Sequence, residues 1–257
     1  MRTVIKIGSS TLTYPTGQLN IRRVEQLCKV MSDLKNGGAE IVLVSSGAIA
    51  MGVGKMRLKS RPEDIPGKQA AAAVGQCELM DVYDRFFSTY HHTPAQILLT
   101  SEDLRNEERH ANFRNTVERL LSWGVIPVIN ENDTVVTDEI KVGDNDTLSA
   151  QVAVSMKADL LILLSDIDGL YTADPHKDKS ATVIHRVAEI SPEILAMGGD
   201  SVSGIGTGGM RTKLQAACLC TAAGCDMLIM NGAEPELLYD AMEGKEVGTR
   251  FLAEHKE

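Results

Sequence analysis

No apolar run in the sequence approaches the ~20 residues that a membrane-crossing helix needs. The amino terminus, Met1-Arg2-Thr3-Val4-Ile5-Lys6, has neither the long apolar stretch nor the small-residue cleavage site of a signal peptide. A cytoplasmic protein with no membrane partner is the expectation. Clustered positive charge is missing too: 26 Lys and Arg stand against 35 Asp and Glu, for a formal net charge of -9. Nucleic-acid binding draws much of its affinity from phosphate neutralisation by a concentrated basic surface, so no nucleic-acid partner is expected. The five cysteines are odd in number and form no C-x-x-C pair, and His110, His176 and His185 stand apart from them. A zinc site therefore has no support, and buried reduced thiols are the expected reading. The phosphate-binding pattern G-x-x-x-x-G-K-[ST] is absent, since neither Lys55, Lys68 nor Lys245 completes it. ATP, if bound, is held by another device. No solenoid-period repeat and no low-complexity linker divides the chain.

What the sequence does contain is regular alternation. Short β-rich runs alternate with helical patterns, which argues for an α/β fold with a mostly parallel sheet covered by helices. Strands are predicted over 3–7, 40–44, 94–99, 125–129, 160–164 and 227–230. Helices are predicted over 21–35, 69–90, 109–123, 145–156, after Gly209 and near 235–242, with a small hairpin over 135–142. With 257 residues, 43% hydrophobic and 24% charged, one continuous domain can bury a large core. If it has two lobes, they divide near the helix that begins at Asn145.

Polar clusters follow several of the predicted strands. Lys6 interrupts an apolar strand just before Gly8-Ser9-Ser10, and a lysine in a central strand is costly unless it is paired or meets a ligand. Ligands of open α/β sheets bind beyond the carboxyl ends of the strands. Taken by itself, an edge-strand lysine facing solvent is the commoner case. Ser45-Ser46-Gly47-Ala48 offers hydroxyl and N–H donors that suit either a helix cap or a substrate carboxylate. Asn130-Glu131-Asn132-Asp133 is more polar than a turn requires: Asp133 suits a substrate ammonium group, and an Asx turn is the alternative. Gly143-Asp144-Asn145-Asp146 serves as a helix cap, and its paired carboxylates, after Lys141, also suit metal organisation or the positioning of lysines. Ser165-Asp166 opens a long loop through Asp174 that suits a ribose and a base, or is simply solvated.

The stretch from Gly206 to Lys213 puts small residues and bare N–H groups at a helix start, where backbone and dipole favour phosphate. Read alone, it is equally a flexible loop followed by a surface lysine. Gly204-Ile205-Gly206-Thr207-Gly208-Gly209 also matches the dinucleotide pattern G-x-G-x-x-G. No strand precedes it, however, and Asp226 stands before the next predicted strand rather than at its end, so a nicotinamide cofactor is not expected.

Taken together, residues 4–10, 44–50, 128–133, 141–146, 169–175 and 201–210 resemble the glutamate 5-kinase branch of the amino acid kinase family. The likeness runs over essentially all of the chain. The lysine strand and the Gly169–Pro175 loop are similar across the wider family, while the runs at 129–133, 141–146 and 201–210 are specific to that branch. The resemblance implies a three-layer αβα sandwich, with an amino-acid-binding lobe over about 1–155 and a nucleotide-binding lobe over 156–257. It also implies ATP-dependent phosphorylation of the side-chain carboxylate of glutamate, the first step of proline biosynthesis, with Mg²⁺.

By the same resemblance, Lys6 and Lys213 neutralise the transferring phosphoryl group and Asp146 orients them. Ser46, Asp133 and Asn145 hold glutamate. ATP is held by Lys6, Ser165, Asp166 and the run Thr207, Gly208, Gly209, Met210, Arg211, Thr212 and Lys213. A homo-oligomer, feedback inhibition by proline and a downstream glutamyl phosphate reductase are the implied partners and regulation. Many relatives carry a further carboxyl-terminal PUA domain. This chain stops at Glu257, and a form without that domain is expected.

Three rivals follow. A kinase for N-acetylglutamate gains nothing from Asp133, because its acceptor has no free ammonium. A non-catalytic sensor on this fold would be expected to lose Lys6, Lys213 or Asp146, and all three are present. A nicotinamide oxidoreductase predicts a response to NAD(P)H, against which the misplaced glycine pattern argues.

Overall fold

The computed structural model describes residues 1–14, 16–135, 145–175, 177–199 and 209–254. The first half of the chain runs β1 (Arg2–Ile7), α1 (Ser9–Leu12), α2 (Ile21–Asn36), β2 (Glu40–Ser45), α3 (Ala48–Lys55), α4 (Ile65–Thr89) and β3 (Pro94–Leu99). It continues through α5 (Ser101–Arg105), α6 (Glu107–Ser122), β4 (Ile126–Glu131), α7 (Asn145–Ser155) and β5 (Leu160–Ser165). The last third holds β6 (Arg186–Val187), α8 (Pro192–Ala196), α9 (Met210–Ala222), β7 (Asp226–Asn231), α10 (Leu237–Met242) and β8 (Thr249–Phe251).

The strands form one eight-stranded sheet in the order β3-β4-β2-β1-β5-β7-β8-β6. Every pairing is parallel except β7 with β8. β1 lies between β2 and β5, so the chain winds outward from it in both directions. This reversal is the point where open α/β sheets leave a crevice beyond the strand ends.

The central strands read as continuous apolar runs because both of their faces are covered. Alternate residues part cleanly between two cores. Val4, Val44, Leu161, Leu163 and Ile229 pack with Phe113 and Val117 of α6, Val152 of α7 and Ala216 of α9. Ile5, Ile7, Leu43, Ile162 and Leu228 pack on the other face with Leu27 of α2, Leu79 and Tyr83 of α4 and Leu238 of α10. This is the expected three-layer sandwich. The period-2 alternation of β1 also puts Lys6 on the same face as Val4, the face covered by α7 and α9.

Several boundaries differ from expectation for identifiable reasons. α4 begins at Ile65 rather than 69, because the Asp64 side chain accepts from Gly67 N–H at 2.9 Å and Pro66 occupies the first turn, where proline is tolerated. β4 extends to Glu131, since Asn130 and Glu131 pair with Leu98 and Leu99 of β3. Asn130 is thus a strand residue and not part of a turn. The hairpin expected over 135–142 falls almost wholly outside the described residues, as do Lys141, Gly143 and Asp144. No described helix is long and apolar enough to cross a membrane.

Helices α3 and α4 approach to backbone contact. A Cβ added at Gly75 would lie 1.8 Å from the Ala48 carbonyl oxygen, and one at Gly52 would lie 1.9 Å from that of Ala71. Only glycine allows this crossing, and it sets the loop after β2 directly against α4.

Candidate active site

Asp146, in the first turn of α7, is completely buried. Its Oδ1 lies 2.6 Å from Nζ of Lys6 on β1, and its Oδ2 lies 3.0 Å from Nζ of Lys213 on α9. The Thr212 hydroxyl donates to the same Oδ2 at 3.2 Å. Burial alone would raise the Asp146 pKa, but the charges and hydrogen bonds of the two lysines reverse this and hold it well below the usual carboxylate range. The three residues predicted as catalytic, spread over more than 200 positions, therefore meet at one point. One carboxylate holds two ammonium groups side by side, at the carboxyl ends of the central strands.

Asn145, the preceding residue, points the other way. Its Nδ2 shares its two N–H groups among the Ser45 carbonyl (3.1 Å), the Ser46 hydroxyl (2.9 Å) and Asn130 Oδ1 (3.0 Å). The start of α7 thus joins a cationic centre to a neutral polar cluster at the carboxyl ends of β2 and β4. Ser45 and Ser46 do not cap α3. Gly47 is the N-cap residue, with φ +101° and no side-chain cap bond, and this conformation is costly for any residue with a Cβ. Among the described residues, the first N–H groups of α3 have no side-chain cap beside Ser46. Ser45 Oγ pairs instead with Tyr83 Oη at 2.8 Å.

Asp133 follows β4 and is half-buried. Its carboxyl is pushed up to about 6 by desolvation, with Arg61 on the α3–α4 loop pulling in the opposite direction. It sits two residues beyond the strand that carries Asn130.

Beyond β5 and β7 the residues suit a second ligand. Ser165 is buried at the end of β5 and its hydroxyl donates to Asp166 Oδ1 at 3.1 Å, while Asp166 itself is exposed. Gly209 is the N-cap of α9, and no side-chain cap bond is made there among the described residues. Of the other predicted ATP-binding residues, Met210 is half-buried, and Thr207 and Gly208 lie outside the described residues. Arg211 is exposed and lines a groove of about 810 Å³ on the outer face of α9 with Gln215, Leu219 and Leu195. That groove includes none of the three central residues.

Sequence reasoning missed two side chains, Gln76 and Asn231. Asn130 Nδ2 donates to Gln76 Oε1 at 2.9 Å, so α4 joins the polar cluster. The signal was present: position 76 lies on the same helical stripe as 72, 79 and 83, which is otherwise apolar. Asn231, at the end of β7, donates to Asp168 Oδ1 at 2.7 Å, and the Tyr171 hydroxyl donates to Asp168 Oδ2 at 2.9 Å. These bonds lower the Asp168 pKa and tie the loop after β5 to β7. Nothing in the spacing of 168 and 231 announced that pairing.

Residues 1–231 match the model of the amino acid kinase family. The chain is 50% identical over 260 residues to a glutamate 5-kinase of Clostridium perfringens, covering all of this chain and 97% of that protein. It is 54% identical over 250 residues to a glutamate 5-kinase of Clostridium tetani, covering 97% of this chain and 94% of that one. A glutamate 5-kinase of Thermoanaerobacter sp. is 49% identical over 252 residues, which are 98% of this chain and 68% of that protein. Among solved structures, carbamate kinase from Giardia lamblia bound to AMP-PNP superposes with a TM-score of 0.69 at 16% identity, covering 98% of both chains. UMP kinase from Bacillus anthracis gives 0.66 at 15% identity, over 99% of this chain and 96% of that one. At such identities the solved structures speak for the fold, while the near relatives speak for the branch. The chain belongs to the amino acid kinase family and, within it, to the glutamate 5-kinases.

Proposed function

We propose that the chain transfers the γ-phosphoryl group of ATP to the side-chain carboxylate of L-glutamate, giving L-glutamyl 5-phosphate and ADP. The observation that carries this reading is the junction of Lys6, Asp146 and Lys213 beneath the strand ends. The glutamate side chain has an unperturbed pKa of about 4.3 and is already an anionic nucleophile at neutral pH, so no general base is needed. The enzyme's work is to align acceptor and donor and to neutralise the charge spread over the transferring group. Two ammonium groups fixed on one carboxylate suit that work, since their positions are set before substrate arrives.

On the acceptor side, Ser46, Asn145 and the first N–H groups of α3 hold glutamate, and Asp133 pairs with its α-ammonium. On the donor side, Ser165, Asp166 and the run from Thr207 to Lys213 hold ATP. The two sides correspond to lobes over about 1–155 and 156–257. Among the described residues no cluster of three or more His, Cys, Asp or Glu side chains could hold a metal. A Mg²⁺ would be carried largely by the nucleotide's own phosphates, with Asp166 a protein carboxylate that could contribute. Such an ion would supply further charge neutralisation at the phosphates. The reading carries with it the first step of proline biosynthesis in the cytoplasm, a homo-oligomer, proline as feedback inhibitor and a reductase that consumes the acyl phosphate. The Clostridium relatives support it through their names and their near-complete overlap.

ATP consumption with Mg²⁺ and hydroxylamine trapping tests the activity. Hydroxamate should form with glutamate and not with N-acetylglutamate or aspartate. Absence of turnover with glutamate would sink the reading, and hydroxamate from N-acetylglutamate alone would reassign the acceptor.

A further inference from the structure

We propose that Gln76 is a substrate-reading residue, whose Nε2–H donates to the α-carboxylate of the bound amino acid. The inference rests on the amino-acid-kinase reading above and adds a group to its acceptor side.

Gln76 is 8% exposed, in the middle of α4, and its Nε2 has no hydrogen-bond partner among the described residues. The orientation of its amide follows from backbone groups. The Glu131 N–H donates to Asn130 Oδ1 at 2.9 Å, so that atom must be the oxygen. Asn145 Nδ2, fixed as a donor by the Ser45 carbonyl, donates to the same oxygen. The Asn130 amide nitrogen therefore faces α4, and Gln76 must turn Oε1 toward it. Nε2, which can only donate, is left buried beside the cluster. A buried donor without an acceptor is destabilising, and an apolar side chain of the same shape would avoid the problem. A ligand acceptor accounts for its presence.

The chemistry of that acceptor follows from the neighbours. An amide N–H cannot read an ammonium group, and Asp133 already suits that task. Gln76 is separated from Asp146 by Asn130 and Asn145, so it lies away from the cationic centre and toward the head of the amino acid. A donor at Gln76 and an acceptor at Asp133 together match a zwitterionic α-carbon. The backbone contact of Gly75 with Ala48 holds this turn of α4 against the start of α3, on the same side.

Gln76→Glu separates direct reading from mere support of Asn130. The new carboxylate can still accept from Asn130 Nδ2 but presents an anionic oxygen where the donor stood. The expected result is a glutamate KM raised about 10- to 100-fold, the worth of one hydrogen bond to a charged group, with kcat and the KM for ATP little changed. An unchanged glutamate KM would overturn the proposal. Should Gln76→Glu fail to fold, Gln76→Met keeps the volume, and the thermal shifts induced by glutamate and by ATP are compared with wild type. Loss of the glutamate shift alone is expected; retention of it overturns the proposal, as does a Met variant that loses binding while a folded Glu variant keeps it. The wild-type hydroxamate assay separates the two levels: no turnover of glutamate by wild type removes the underlying reading, whereas normal wild-type turnover with unaffected variants removes only Gln76.

Discussion

Replacing Asp133 with Asn should push stability and affinity in opposite directions. Desolvation raises its carboxyl from the ordinary 3.8 to about 6 in the folded protein, so at pH 7 folding forces an anion into a site that disfavours it. Each pH unit of displacement corresponds to about 1.4 kcal/mol, which sets a ceiling of roughly 3 kcal/mol. Asp133 is only half-buried and its charge is screened by solvent, so about 1–2 kcal/mol is the working magnitude. A carboxyl whose folded pKa is raised takes up protons on folding between 3.8 and about 6. Its contribution to stability is complete below 3.8 and is lost as pH rises through about 6.

Asp133→Asn should therefore raise the Tm of the unliganded protein by about 2–6 °C at pH 7, and this gain should vanish by pH 4. The same variant should bind glutamate worse, because an amide cannot neutralise an ammonium group. Its KM for glutamate should rise at least about tenfold, and the wild-type KM should climb as pH falls below about 6. Thermal unfolding across pH, paired with hydroxamate assays, reads both effects. A lower Tm at pH 7 would refute the electrostatic argument, and an unchanged KM would remove Asp133 from the acceptor site.

Lys6→Ala or Lys213→Ala should lower kcat about 10²- to 10³-fold, the usual cost of losing one charge-stabilising donor, with a far smaller effect on the glutamate KM. A variant of either lysine with near-normal turnover would take that residue out of the chemistry. Gly75→Ala should prevent α3 and α4 from closing, since its Cβ would stand 1.8 Å from a backbone oxygen. A Tm drop of more than about 6 °C is expected for such overpacking, together with a weakened glutamate site, and a Tm within a degree or two of wild type would show that the helices separate cheaply.

Much of the fold was legible because the central strands carry unbroken apolar runs and the helices carry clear punctuation. Lys6 stood out for the same reason, as a charge within Val4-Ile5-Lys6-Ile7. Its partner was harder to see. Asp146 and Lys213 lie 67 residues apart, and local pattern does not encode which two helices will cover the same face of β1. Only the resemblance supplied that pairing. Ser46 and Asn145 were found as separate polar turns, and their direct bond emerges from the parallel register of β1, β2 and β4. Gln76 escaped although it interrupts the apolar stripe of Ala72, Leu79 and Tyr83, because the close approach of α3 at Gly52 and Gly75 that buries it is not written in that stripe. Ser45 and Ser46 fit a helix cap by sequence, yet the left-handed Gly47 took that position and freed both hydroxyls for other partners.

The opposed side chains of Asn145 and Asp146 make the first turn of α7 a molecular ruler. Neighbouring residues of one helix cannot slide apart, so the distance from the cluster of Ser46 and Asn130 to the lysine pair is fixed by covalent geometry rather than by a hinge. If the cluster holds the head of the substrate, as proposed, an amino acid shorter by one methylene, such as aspartate, would have to leave either its head unread or its carboxylate about 1 Å short of in-line attack. Misplacement on that scale can cost about 10²-fold in rate. Chain length would then be selected by a rigid span, with no residue having to touch the missing carbon.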